Sequence, residues 1–155
     1  MSTEGSKKNI SQNRRARHDY FIEEVVEAGV VLVGSEVKSL RQGHCNIKDA
    51  FAEEREGEIY LINMHVDEYT GSNRFNHELK RPRKLLLHRR QINKVIGATQ
   101  RKGVTVIPLS IYFNSRGRVK VELAFAKGKK LYDKRASEKE KDWNKEKARI
   151  LRERN

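Results

Sequence analysis

Apolar residues along this chain alternate mostly with period two, and a helical period shows only in short stretches. In "RVKVELAFA" (118–126), Val119, Val121, Leu123 and Phe125 share one face, while Lys120 and Glu122 take the other. The turn "NSRG" (114–117) joins that segment to the apolar run "VTVIPLSIYF", so the two read as an antiparallel hairpin. "YFIEEVVEAGVVLVG" (20–34) holds two β-rich runs around Ala28-Gly29, where Gly29 can mark a bulge or tight bend. A second hairpin is predicted over 46–66. Phe51 precedes an acidic turn at Glu53–Glu58 containing Gly57, and the strand Ile59–Val66 is apolar on both faces, as in a barrel interior. Ile92, Val95, Ile96 and Thr99 stand at i, i+3, i+4, i+7 and predict an amphipathic helix ending near Gly103. "SEVKSLRQG" (35–43) predicts a shorter helix, with Ser35 as cap, Val37 and Leu40 on one face and Gly43 as stop. Residues 67–83 are polar and irregular, a loop long enough to be functional.

These elements predict a mainly β protein, an antiparallel β-barrel with short helices at its ends. A partly open barrel of the oligonucleotide-binding (OB-like) type is the natural candidate, and the pattern alone leaves a sandwich open. Residues 1–9 are small, polar and basic and are expected to be disordered. Residues 10–130 form the predicted barrel domain, and 131–155 a basic C-terminal tail.

Charge sharpens that division. The 155 residues are 36% hydrophobic and 35% charged, with formal net charge +13. Residues 1–17 carry net +4 and 127–155 net +6, leaving +3 for all of 18–126. A nearly balanced body between two basic tails points to a polyanionic partner, because cationic segments release counterions from phosphates. The plainer alternative is that the tails only aid solubility. Cys45 is the sole cysteine, so no intramolecular disulfide forms, and a half-buried structural thiol fits it better than a nucleophile. With no apolar run near the N-terminus and no stretch approaching the ~20 apolar residues of a membrane span, a cytoplasmic protein without a membrane partner is expected.

Little in the chain points to catalysis. The histidines at 18, 44, 65, 77 and 88 lack metal-ligand spacing and there is no CxxC, so neither metal nor cofactor is expected. Glu53, Glu54, Glu56 and Glu58 read as a solvated turn. GxSxG, P-loop and GxGxxG motifs are missing. Three clusters suit RNA better. "NRRARHDYF" interleaves Arg14, Arg15, Arg17 and His18 with aromatic rings. "KRPRK" sets Arg83 and Lys84 just before a strand, and Arg116, Arg118 and Lys120 project from a hairpin.

Four blocks, "NRRARHDYFIEE", "GSEVKSLRQGHCNIKDAF", "RKLLLHRRQI" and "AKGKKLYDKR", followed by Trp143 and "KARI", resemble in order the SsrA-binding protein (SmpB) family. The resemblance covers about residues 9–151. It implies an OB-like barrel that acts as a monomer on RNA without catalytic chemistry. It further implies binding to the tRNA-like domain of transfer-messenger RNA (tmRNA) and delivery to the vacant A site of a stalled ribosome. There the nascent chain is tagged, a process called trans-translation. Residues matching RNA-contact positions are Asn13, Glu36, Leu86 and Lys120, and Lys38 lies in the Glu36 block. Without the resemblance, Glu36 would read as a helix-start acid favoured by the dipole. Lys127, Gly128, Lys129, Lys130, Asp133, Lys134, Arg135 and Trp143 match the family's ribosome-acting tail, which meets the rRNA of the decoding centre and the empty mRNA channel. Tyr132 stands where some members have His; stacking survives that change, an imidazole proton would not.

The tail is expected to be disordered when free and helical when bound. Ser137-x-x-Glu140 is a capping box that starts a helix at Glu138. Trp143 and Ile150, i,i+7 with Leu151 adjoining, make a stripe too thin to anchor it. The alternative is a helix docked on the barrel by Trp143. The competing function is a general RNA-binding or ribosome-associated protein with no rescue role.

Overall fold

The computed structural model describes residues 7–70 and 77–153, with the backbone alone at 131–133 and 137. The elements in chain order are β1 (Lys8–Gln12), α1 (Ala16–Asp19), β2 (Tyr20–Val30), α2 (Gly34–Arg41), β3 (Cys45–Asn46), β4 (Phe51–Arg55), β5 (Glu58–Ile62), β6 (His65–Val66), β7 (Arg83–Leu86), α3 (Arg89–Gln100), β8 (Val104–Phe113), β9 (Val119–Gly128) and α4 (Leu131–Glu153). Among the described residues, seven strands join in the order β1-β8-β9-β2-β7-β5-β4, every neighbouring pair antiparallel. The sheet curls until β4, at one edge, comes against β8 near the other. This is the predicted antiparallel barrel.

The alternation of β9 holds in detail. Val121, Leu123 and Phe125 are buried in the main core with Val119 packed against it, while Lys120 and Glu122 face outward. The interior also takes Ile59, Leu61, Leu85 and Val106 from the strands, Leu40 from α2, and Ile92, Val95 and Ala98 from α3. Burying each large aliphatic side chain stabilises the fold by about 1.5–3 kcal/mol.

Several local expectations are corrected. β2 runs unbroken through Ala28-Gly29, and its bulge lies between Ile22 and Glu24. Glu53 and Glu54 belong to β4, so the acidic turn shrinks to Glu56-Gly57, both at positive φ (53° and 79°). The expected strand Ile59–Val66 breaks at Asn63 (φ 62°); His65 and Val66 pair instead with β3. Ser35 does not cap α2. The Val33 N–H donates to the Glu36 carboxylate at 2.9 Å, and the Ser35 hydroxyl meets His77 Nδ1 at 2.9 Å. Lys8 and Asn9, expected to be disordered, pair with Phe113 and Tyr112, drawn in by Ile10 packing on the core; residues 1–6 lie outside the described residues. Finally, α4 begins at Leu131, not Glu138. Lys134 and Glu138 are i,i+4 neighbours and both reach α1, a geometry that needs the helix already formed at Lys134. The Ser137 side chain of the expected capping box lies outside the described residues.

Candidate nucleic-acid interface

Register sets the candidate face. Tyr112, Lys120, Gly29 and Leu86 form one row across β8-β9-β2-β7, and Ser110, Glu122 and Glu27 form the next. Because side chains alternate, both rows point out of the barrel. Further along, Ala124 and Ala126 are small enough for α1 to lie on the sheet, and Ala16 packs there with Ile107 and Leu109 in a second core cluster. Asn13 leads into that helix. Its backbone N–H donates to Leu109 O at 2.8 Å and its amide to Pro108 O at 3.5 Å. One strip therefore runs from Asn13 and α1, over Ser110 and Glu122, to Lys120 and Leu86.

Cations edge the strip. Arg14 and Arg17, both exposed, line a trough with Gln12, Asn13, Ser110 and Glu122. At the other end, a cleft of about 500 Å³ is lined by Glu27, Gly29, Leu86, Leu87, His88, Gln91 and Lys120. Arg118 joins it across Leu86 and Gly29. Lys84 follows on the Leu86 side of β7, 3.9 Å from Glu58. Leu86 is 54% exposed, an apolar platform beside the ammonium of Lys120. A Cβ at Gly29 would lie 3.2 Å from Leu86 Cβ, so a side chain there would need Leu86 to shift by a few tenths of an ångström. Tyr112 donates its hydroxyl proton to Glu27; burial first, then that bond and Glu122, raises the phenol far above its usual range. The ammonium of Lys7 lies 5.0 Å from the Tyr112 ring. Lys38 is exposed on α2 and sits 5.4 Å over Tyr69.

Two of the sequence-predicted contacts are not on the surface. Glu36 and Arg83 are both 0% exposed and form a buried ion pair. Arg81 adds a second bond to Glu36 at 2.6 Å, and Arg83 Nη1 donates to Met64 O at 2.6 Å. Desolvation pushes the Glu36 carboxyl up, but the Arg81 bond, the Val33 N–H and Arg83 together hold it below its ordinary value. Neither side chain can meet RNA directly in this structure. The pair ties α2 to β7 and to the loop before it, and so positions Lys38 and Leu86. The burial follows from the start of β7 at Arg83, whose alternation turns Arg83 and Leu85 inward and Lys84 and Leu86 outward.

The N-terminal cluster divides around α1. Arg15 turns away from the strip into a separate cavity of about 470 Å³ with Asn13, Asp19, Lys48 and Phe51. His18 does not present its ring for stacking. It bridges Asp19 (Nδ1, 3.0 Å) and Glu138 (Nε2, 2.9 Å). The His18 bond, and after it Lys134 and Arg15, outweigh desolvation and lower the pKa of Asp19.

In the tail, Lys127 and Gly128 close β9, and Lys130 is exposed. Lys129 donates from its backbone to Asp19 O (2.9 Å) and from Nζ to Arg17 O (3.0 Å), with its ammonium 5.0 Å over Phe21. The side chains of Tyr132 and Asp133 lie outside the described residues. Lys134 reaches Asp19 at 3.5 Å, Arg135 is exposed, and Trp143 is 63% exposed, so Trp143 does not dock the helix on the barrel.

Glu27, Glu122, Gly29 and the buried Tyr112 complete the rows of the strip, and Gln91 of α3 lines its cleft; none of them was read as an RNA contact from the sequence. For the strand residues, membership depends on the register between β2, β8 and β9, which no local pattern carries. Burial pushes the Cys45 thiol up to about 12, which keeps it protonated and unreactive at neutral pH. Among the described residues no group of three His, Cys, Asp or Glu could hold a metal, and no helix is long and apolar enough to cross a membrane.

A curled antiparallel sheet whose outer face carries cations at both ends, acceptors between them and an exposed apolar platform defines a small β-barrel protein of the nucleic-acid-binding class. The chain belongs to the SmpB protein family, whose model matches residues 10–153. It is 58% identical to the SsrA-binding protein of Rhodopseudomonas palustris, over 95% of this chain and 94% of the relative. It is 59% identical to that of Bradyrhizobium diazoefficiens, with the same coverage of each chain. A solved structure described as "tmRNA-SmpB: a journey to the center of the bacterial ribosome" contains a chain 47% identical in sequence. It superposes with TM-score 0.66 over 78% of this chain and 85% of that one.

Proposed function

We propose that this protein binds the tRNA-like domain of tmRNA and delivers it to the A site of stalled ribosomes for trans-translation, acting in the cytoplasm as a binding protein and not as an enzyme. The observation that carries the reading is the single outward strip joining Asn13, Arg14, Arg17, Lys120 and Leu86 in a chain of the SmpB family. Phosphates ride the cations at its ends, an unstacked base rests on Leu86, and Glu27 and Glu122 accept from base amino groups or 2′-hydroxyls. The tail helix, almost wholly exposed, gains its stability in the empty mRNA path, where Asp133, Lys134, Arg135 and Trp143 act.

Isolation of the RNA that co-purifies from cells tests this. One dominant species able to accept alanine is expected; a heterogeneous RNA pool means general RNA binding instead. A chain truncated after Gly128 is expected to keep specific tmRNA binding. A loss beyond about 100-fold, ~2.7 kcal/mol, would move the primary RNA site into the tail.

A further inference from the structure

α1 and α4 face each other across a groove of about 230 Å³ that neither helix forms alone. Arg14, Arg17 and Lys129 line the barrel wall, and Lys141, Asn144 and Glu140 line the tail wall. Four cationic residues thus line one small space with a single carboxylate. Lys129 is fixed there by its bond to Arg17 O and by the Phe21 ring. The groove is smaller than an ordinary ligand pocket of roughly 300–1,000 Å³, so it admits a phosphate and part of a sugar, not a whole nucleotide. Two contacts close it. His18 Nε2 meets Glu138 Oε1 at 2.9 Å, and Lys134 Nζ meets Asp19 Oδ1 at 3.5 Å.

We infer that α1 and the docked tail helix together form a composite phosphate cleft, which grips one phosphodiester of an RNA strand and exists only while His18 and Asp19 hold α4 in place. The inference rests on the RNA-binding reading and extends it. Arg14 and Arg17 line both this groove and the trough of the strip, so the cleft prolongs the same cationic track onto the tail. Glu138 and Asp19 place two acids beside a polyanion site, where repulsion alone would disfavour them. Their partners explain them: each carboxylate is turned onto His18 or Lys134 and closes the cleft.

This assigns Glu138 an effect opposite to its charge. Removing an acid from a basic surface strengthens polyanion binding when charge alone matters. Here Glu138→Ala opens the cleft and weakens binding by roughly two- to fivefold, the range a surface hydrogen bond carries. A second signature is in the salt dependence. The slope of log K against log salt counts phosphates neutralised, not cations supplied. Arg17 and Lys141 meet the same phosphate as Arg14 and Lys129, so Arg17→Ala combined with Lys141→Ala weakens binding but lowers the slope by about one unit at most, whereas two independent contacts would lower it by about two.

The test uses the full-length protein, each variant titrated over a range of salt against two probes: a transcript of the tRNA-like domain of tmRNA, and purified small ribosomal subunits. Weakening by Glu138→Ala, and weakening of the double variant with a slope loss of one unit at most, are expected for one probe and identify which RNA supplies the phosphate. Tightening by Glu138→Ala on both probes, or in the double variant a slope loss of two units or no loss of affinity on both, overturns the cleft while leaving RNA binding standing. Failure of the unmodified protein to bind either probe overturns the RNA-binding reading and the cleft with it.

Discussion

The barrel and the tail helix solve different problems with the same chain. In the barrel, Ile59, Leu61, Leu85, Val121 and Leu123 are buried to 1% exposure or less. In α4, every described side chain beyond Lys134 is exposed, Trp143 and Leu151 included. At 1.5 Å per residue the helix is about 35 Å long, and among the described residues its ties to the barrel include two polar contacts to α1. Buried area fixes the barrel whether or not a partner is present. A helix without an apolar face against its own domain takes its stability from outside. On the function proposed above, placement of RNA falls to the rigid part, and action in the ribosome to the part that a partner would complete. Substitutions that separate binding from tagging, or stability from both, can break that comparison or sharpen it.

The largest expected effect is on tagging. Replacement of Asp133, Lys134 and Arg135 with alanine is expected to abolish peptide tagging in a reconstituted stalled-translation assay. Binding of the tRNA-like domain should change by no more than the roughly two- to fivefold expected when the α1–α4 cleft opens, since the proposed strip lies on the barrel. Charge attraction alone would need neither an acid nor a fixed order in this segment. Normal tagging by the triple variant would show that the tail acts only through its charge.

Next comes the barrel's buried pair. Arg83→Met leaves the buried Glu36 carboxylate with Arg81 and the Val33 N–H as its remaining partners, and is expected to cost about 3 kcal/mol, the low end of the range for a broken buried pair, read as a large fall in urea midpoint. Adding Glu36→Gln removes the stranded charge and should recover much of that loss. Because Glu36 has a lowered pKa when folded, its contribution is fully present above the ordinary carboxylate value and is lost as pH falls through the folded one. The unmodified protein should therefore lose stability on acidification more steeply than the double variant. Equal urea midpoints for the single and double variants would remove the pair from the account.

A smaller effect separates contact from positioning within the strip. Lys120→Ala is expected to weaken tmRNA binding and flatten its salt slope by about one unit. Glu36→Ala should weaken binding with the slope unchanged, since Glu36 acts through α2 and β7 and neutralises no phosphate. Tighter binding by Glu36→Ala would mean its charge is only repulsive, and a slope change would place it at the RNA surface.

Much of this was readable along the chain, and the rest was hidden for definite reasons. Alternation gave the faces of β9 because a strand's period is a local property. Lys120 was named from its hairpin cluster and Leu86 from the resemblance, but that they flank Gly29 in a single row depends on register between strands far apart in sequence. Arg83 shows the limit most plainly. In "KRPRK" it is one cation among four, and only the start of β7 decides that it points inward to Glu36. The early start of α4 was also illegible, because Lys134 and Glu138 find their partners on α1, at the opposite end of the sequence. Glu36 was marked by resemblance alone; its burial makes it a positioning group where a surface contact had been expected.

The smallest expected effect is the most direct probe of the difference between the two regions. Trp143 is the only tryptophan, so its emission reports the tail without interference. At 63% exposure it contributes no core contact, and a surface side chain away from caps and buried networks changes stability by about 0.5 kcal/mol or less. Trp143→Ala is therefore expected to leave the urea midpoint of the barrel unmoved. Emission of the free protein should be that of an indole in water and open to a soluble quencher. On binding to stalled ribosomes the emission should shift to the blue and the quencher should lose access, because that is where the exposed stripe of Trp143, Ile150 and Leu151 finds a surface. A blue-shifted, protected Trp143 in the free protein would mean that the tail packs on its own barrel, and the division of labour between the two regions would fail.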